Sequence, residues 1–166
     1  MTIRPIKQSD WPFVWSMLEP VFRAGETYAY SPDISEFEAY QVWVEKPKST
    51  YVAIEENRDN KSCILGTYYI KPNQPLLGAH VCNCGYIVDK LAREKGIATL
   101  MCEHSQQEAR RLGFSAMQFN LVVSTNTAAV RLWQKLDFEV VGTLPKAFNH
   151  STAGLVDALV MYKQLE

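Results

Sequence analysis

A chain of 166 residues, 47% apolar and 21% charged, has the proportions of one globular domain with a full hydrophobic core. Seventeen basic residues against eighteen acidic ones leave a net charge of −1, and the longest basic run is Arg110-Arg111, which excludes the electrostatic footprint of a nucleic-acid binder. No apolar run approaches the roughly 20 residues of a membrane span, since even Leu155 to Tyr162 is broken by Asp157.

In chain order, Met1 to Lys7 lacks the apolar segment of a signal peptide, and Thr2 to Ile6 reads as a short strand. Ser9-Asp10 caps a helix with Trp11-Pro12 in its first turn and Phe13, Val14, Met17, Leu18, Val21 and Phe22 at helical spacing. A loop from Ala24 to Pro32 precedes a second helix, Ile34 to Val44, which ends before Pro47. Strands Thr50 to Glu55 and Cys63 to Ile70, joined by the polar turn Glu56 to Lys61, suggest a hairpin. Pro72 and Pro75 mark a turn before a long strand, Ala79 to Val88. A central helix from Gly96 to Leu112 stops at Gly113. Ala116 to Val123 is a strand, and Asn126 to Leu136 a helix opened by Ser124 or Thr125. Strands Phe138 to Leu144 and Leu155 to Lys163 close the chain, with a loop from Pro145 to Gly154 between them. This order predicts one α/β domain over residues 1–166, a mixed sheet with helices on both faces.

The four cysteines, Cys63, Cys82, Cys84 and Cys102, have no zinc-ligand spacing. Free thiols of a cytoplasmic protein, with no metal site, are the expectation.

The stretch Ile87 to Met101 carries the most chemistry. It is the end of a β-branched strand, a short connection with Arg93, Glu94, Lys95 and Gly96, and the start of an amphipathic helix at Ile97-Ala98-Thr99. A strand feeding a helix in this way aims unpaired N–H groups and the positive end of the helix dipole at one spot, which suits a phosphate. The spacing is neither a P-loop nor a dinucleotide fingerprint. It closely resembles the acetyl-CoA-binding motif of the GCN5-related N-acetyltransferases, V-x-x-x-x-(R/Q)-x-x-G-x-(G/A), with Val88, Arg93, Gly96 and Ala98 on its positions. The family's second segment, N-x-x-A-x-x-L-Y-x-x-x-G-F, is matched by Asn126, Ala129, Leu132 and Phe138. Trp133 replaces the usual tyrosine, often the general acid for the CoA thiolate, and Asp137 replaces the usual glycine.

The resemblance implies a mostly antiparallel sheet whose one parallel strand pair splays apart to hold acetyl-CoA. The backbone of Ile87 and Val88 then binds the pantetheine arm as an added strand would. The N–H groups of Arg93, Glu94, Lys95, Gly96, Ile97, Ala98 and Thr99 hold the pyrophosphate, with charge from Arg93 or Lys95. Asn126 hydrogen-bonds the arm or the acceptor, and Trp133 lines the donor site. An indole N–H gives up no proton at ordinary pH, but a thiolate with pKa about 8.5 can take one from water.

Members of the family often carry a glutamate base on the strand matching 79–88; here that strand has no carboxylate before Asp89, and His80 is its one group titrating near neutrality. Direct attack by an amine that is already weakly basic, or proton loss through water, follows. Asn83 and Asn120 lie on the two strands that flank the expected gap, where asparagine is disfavoured unless a partner satisfies it. With Tyr86 they are the candidates for the catalytic role. Strict alternation puts Asn83 with Ile87 on one face and Tyr86 on the other, unless Gly85 makes a bulge. Glu26, Tyr28, Asn83 and Phe148 are candidates for binding the acceptor, with Glu26 and Tyr28 in the loop between the first two helices and Phe148 and His150 in the late loop facing them. The expected acceptor is a small-molecule amine, amino-acid-like; a protein or peptide acceptor and a non-catalytic acyl-CoA-binding module are the alternatives. The expectation includes neither a nucleic-acid nor a membrane partner and leaves a homodimer open.

Overall fold

A computed structural model of the chain describes residues 1–56 and 62–165. The predicted polar connection after Glu56 lies outside them. Seven strands form one sheet: β1 (Thr2–Pro5), β2 (Ser49–Glu56), β3 (Ser62–Pro72), β4 (Val81–Val88), β5 (Ala116–Val123), β6 (Glu139–His150) and β7 (Gly154–Gln164), in the spatial order β1-β2-β3-β4-β5-β7-β6. Every neighbouring pair is antiparallel except β4 and β5, which run parallel and are joined by a crossover helix.

The helices are α1 (Trp11–Ala24), α2 (Glu36–Tyr40), α3 (Ile97–Arg111) and α4 (Thr127–Lys135). Alternation along the central strands divides the core in two. Val52, Ile54, Tyr69 and Ile87 pack with Trp11, Val14, Leu18, Phe22, Ala39 and Trp43 on the side of α1 and α2. Tyr51, Ala53, Tyr68, Ile70, Cys82 and Cys84 pack with Ile97, Met101, Ala109 and Trp133 on the side of α3 and α4. The expected layers, helices on both faces of a mixed sheet, are those observed.

Of the boundaries that differ from expectation, three have a clear physical cause. The second helix is α-helical only to Tyr40, then widens into a π turn at Gln41–Glu45, with Lys46 N–H bonding Gln41 O at 2.9 Å. There the Trp43 indole donates to Thr67 Oγ1 (3.1 Å), and Thr50 Oγ1 donates to Trp43 O (2.6 Å). The N-cap of α4 is Asn126, not Ser124 or Thr125: its side-chain oxygen accepts from Ala129 N–H at 3.3 Å. Finally, most of the expected late loop is strand. β6 and β7 make a long hairpin that absorbs Lys146 and Pro145 through a register shift between Leu144 and Phe148. No helix among the described residues is long and apolar enough to cross a membrane.

Candidate active site

β4 and β5 are in register only at Val81 with Ala116 and Cys82 with Met117. Beyond that point they part, although β4 runs on to Val88 and β5 to Val123. On its far side β5 changes register with β7 between Phe119 and Val122, and such an irregularity bends a strand. The gap is a cleft of about 430 Å³. At its base the Asn83 amide reaches across and donates to Gln118 O at 2.9 Å, meeting a carbonyl where the ladder ends.

One end of the cleft is the strand-to-helix turn. Asp89 closes a tight turn by accepting from Leu91 N–H at 2.8 Å. Glu94 and Gly96 then adopt left-handed backbones, φ +63° and +73°. The side chain of Ile97, 1% exposed, anchors the helix start in the core while residues 93–96 stay exposed. The first helical bond runs from Leu100 N–H to Gly96 O (3.0 Å), so Ile97, Ala98 and Thr99 have amides without intrahelical acceptors. A Cβ on Gly96 would meet nothing within 4 Å, which leaves the space before these amides open. Arg93 lines the cleft beside Val88, and Lys95 is exposed in the same turn. Amides, helix dipole and two cations fit a diphosphate.

The other end is lined by Tyr28, Tyr30, Tyr69, Lys71, Asn83 and Asn120. The Tyr28 hydroxyl donates to Tyr86 O at 2.9 Å, and its ring stacks on Tyr30 with centroids 6.0 Å apart. Tyr69 lies over Gly85, where a Cβ would come within 2.6 Å of the ring, and its hydroxyl points to Asn83 Oδ1 at 3.4 Å. The glycine therefore admits a ring rather than a bulge, and β3 and β4 stay in unbroken register from Gly66/Val88 to Pro72/Cys82. Burial pushes the hydroxyls of Tyr28, Tyr30 and Tyr69 above the ordinary phenol range, and likewise the Cys84 thiol above its own. Burial therefore favours the protonated, uncharged form of all four.

The cleft brings together Tyr28, Asn83, Tyr86, Ile87, Val88, Arg93, Asn120, Asn126 and Trp133 from the sequence-predicted set. Their side chains are not equivalent. Asn83 is 8% exposed and bonded on both sides. Asn120 is exposed, held between Asn73 (2.7 Å) and Gln118 (3.0 Å). Tyr86 turns its hydroxyl away, sharing a 2.7 Å hydrogen bond with Ser105 on α3, and borders the cleft on a strand whose carbonyl Tyr28 holds. Asn126 spends its oxygen on the α4 cap, leaving the amide NH₂ for a ligand.

Glu26 is exposed and does not line the cleft. Phe148 is also away from the cleft lining: it is a strand residue paired with Val156, and only 6% exposed. The hairpin tip just beyond it does reach the loop after α1, where Ser151 N–H donates to Gly25 O at 3.1 Å. His80 is exposed, precedes β4, and is not in the cleft. Sequence reasoning missed Tyr30, Tyr69 and Lys71. The signal for the last two was alternation in Tyr68-Tyr69-Ile70-Lys71, which puts a tyrosine and a lysine on one face of a central strand.

The model of the acetyltransferase (GNAT) family matches residues 11–138. The chain belongs to this family. A GCN5-related N-acetyltransferase from Kribbella flavida is 39% identical and superposes with a TM-score of 0.89 over 99% of this chain and 97% of its own. An N-acetyltransferase of Schizosaccharomyces pombe, aca1, is 39% identical over 103 residues, 61% of this chain. That match spans about half (49%) of the yeast protein's length. A Salmonella typhimurium protein, yncA, solved with acetyl-CoA, shares the fold at 20% identity with a TM-score of 0.82, over 100% of this chain and 94% of its own.

Within the GNAT frame the two departures have local explanations. Asp137, in place of the usual glycine, has φ +65° and so adopts the left-handed conformation that glycine takes more cheaply. Trp133 fills the tyrosine position as an aromatic wall, 8% exposed, with ring centroids 5.0 Å from both Tyr86 and Phe119. These contacts account for an indole there without a proton-transfer role.

Proposed function

We propose that this GNAT protein transfers acetyl from acetyl-CoA directly to the amine of a small, amino-acid-like molecule. The observation that carries the reading is the splayed cleft. Its volume of about 430 Å³ has to take the end of the donor and the acceptor together, and the acceptor end is lined by tyrosines and asparagines. No aspartate or glutamate is among the residues that line it. A lysine side chain of a protein substrate, or a polyamine, would bring a cation to a site that has no carboxylate to meet it.

Acetyl-CoA supplies the activated thioester. The amides from Arg93 to Thr99 hold its pyrophosphate. The gap-facing backbone near Ile87 and Val88 aligns the arm, and Trp133 with Phe119 closes the wall behind it. Asn83 keeps the base of the cleft open at a set width. An amine near pKa 8 costs only about 1.4 kcal/mol to deprotonate at pH 7, against about 4.6 kcal/mol for a lysine-like amine at 10.4. A free amino acid's own carboxylate raises its α-amine above the first of these values but not to a lysine's. Its deprotonation therefore costs between the two figures and the proton can leave through water, in keeping with the uncharged tyrosines and thiol that line the cleft.

The test is thiol release from acetyl-CoA in a screen over free amino acids, polyamines, aminoglycosides and lysine peptides. Turnover is expected with free amino acids or close analogues. Turnover confined to peptides or polyamines overturns the small-molecule reading, and acetyl-CoA binding without release on any amine makes the protein a binding module.

A further inference from the structure

Among the described residues, one charged side chain lines the end of the cleft proposed for the acceptor. Lys71, on β3, lines it next to Tyr69, with Nζ 5.3 Å from that ring's centroid. In the sheet register Lys71 stands opposite Asn83, and their neighbours there, Asn73 and Asn120, are joined at 2.7 Å. Among the described residues, the ion pairs engage Arg4, Arg23, Arg111 and Lys163, and none engages Lys71. The lysine is only partly exposed. Burial, and after it the nearby Lys46, disfavours its charged form, so the ammonium has a standing demand for an anion.

That anion is not the diphosphate of the donor. Asn83 and Val88 are five residues apart along β4, roughly 16 Å at 3.3 Å per residue, and Lys71 sits at the Asn83 end while Arg93 sits at the other. The cleft thus has two positive poles, one for each substrate. The other lining residues are tyrosines, asparagines, a threonine, a thiol, a glycine and apolar side chains, none of them charged.

We propose that Lys71 is the specificity-determining residue for the acceptor and pairs with an anionic group, a carboxylate, carried by the same small molecule as the amine. The assignment rests on the small-molecule reading above. The ammonium takes the carboxylate oxygens from one side, the Asn83 and Asn120 amides flank it, and the Tyr28, Tyr30 and Tyr69 rings enclose the body of the molecule. A second cation on the acceptor is rejected here, because it would face Lys71 with no carboxylate between.

The experiment compares free amino acids with their own carboxamides and methyl esters, which keep the amine and lose the negative charge. Thiol release is followed for the wild type, Lys71→Met and Lys71→Arg, with calorimetric binding of acetyl-CoA as the control for folding and for the donor site. The wild type is expected to prefer the best free amino acid to its carboxamide by tenfold or more in kcat/KM. Lys71→Met is expected to bring that ratio close to one, chiefly through KM. It should leave acetyl-CoA affinity unchanged. Lys71→Arg should restore most of the preference. A wild type that uses carboxylate-free amines equally well, or a preference that survives Lys71→Met, overturns the role of Lys71 while the acetyltransferase reading stands. Absence of turnover on any small amine, with acetyl-CoA still bound, overturns both.

Discussion

At the scale of single residues the site depends on close approaches that leave no slack. Tyr69 reaches Asn83 only because Gly85 has no Cβ, and a methyl there would sit 2.6 Å from the ring. The contact is with a buried ring 5% exposed and packed edge-on against Trp43 at 4.9 Å, so the ring cannot simply swing aside. Gly85→Ala is therefore expected to cost about 1–3 kcal/mol, as overpacking of a filled core does. It should also raise the acceptor KM more than it lowers kcat, because Tyr69 and Asn83 shift together. Urea unfolding and steady-state kinetics check the two effects, and a variant as stable as wild type with an unchanged KM would remove Tyr69 from the site. In the sequence, Gly85 was legible only as a place where a bulge was allowed. Which of two uses a strand glycine serves depends on the residue opposite it, and that is a fact of register.

At the scale of elements, the turn between β4 and α3 was legible almost residue by residue. Its properties are local: a glycine with φ +73°, an apolar Ile97 to anchor the helix, and amides that no helix can satisfy at its own start. Gly96→Glu tests it: at φ +73° the new residue costs about 1 kcal/mol of backbone strain, and its carboxylate enters the open space where the proposed diphosphate would lie. The expected result is at least a hundredfold loss of acetyl-CoA affinity by calorimetry, with the fold kept. Unchanged affinity would refute the phosphate assignment. The last hairpin was harder to read. Pro145 and Lys146 look like loop residues, yet β6 runs from Glu139 to His150 by taking them up as an irregularity, with Lys146 N–H bonding Asp157 Oδ1 at 2.9 Å. Phe148 consequently became a buried strand residue instead of a wall of the acceptor site, because a partner strand, not its own neighbours, sets its direction.

At the scale of the molecule, one sheet with a core on each face carries the cleft where its parallel strands part. The edge strand β1 is tied to α1 by Arg4 and Asp10, a two-pronged pair at 2.7 and 3.0 Å, with Lys7 N–H also donating to Asp10 at 2.7 Å. The Arg4 guanidinium holds the Asp10 carboxyl below its ordinary range. A carboxylate depressed in the folded state stabilises above its unfolded pKa, near 3.9, and that stability is lost as pH falls through the lower folded value. Asp10→Asn should thus cost about 1.5–3 kcal/mol near pH 7, with the gap to wild type closing below pH 4. Denaturant unfolding at the two pH values decides it; a gap that persists in acid would mean the loss is one of shape, not charge.

The amino-acid sequence by itself determined the order of elements, the two-sided core and the turn between β4 and α3, because strand alternation, helical spacing and helix-end chemistry are carried by residues close together in the chain. It also marked Asn83 as unusual. Only the tertiary structure decided that β4 and β5 part after two residue pairs, that Tyr69 and Lys71 join Asn83 in the cleft lining, and that Glu26 and Phe148 lie outside it. Those outcomes depend on the register between strands far apart in sequence and on an irregularity of β5 against β7. Local propensity does not encode either one.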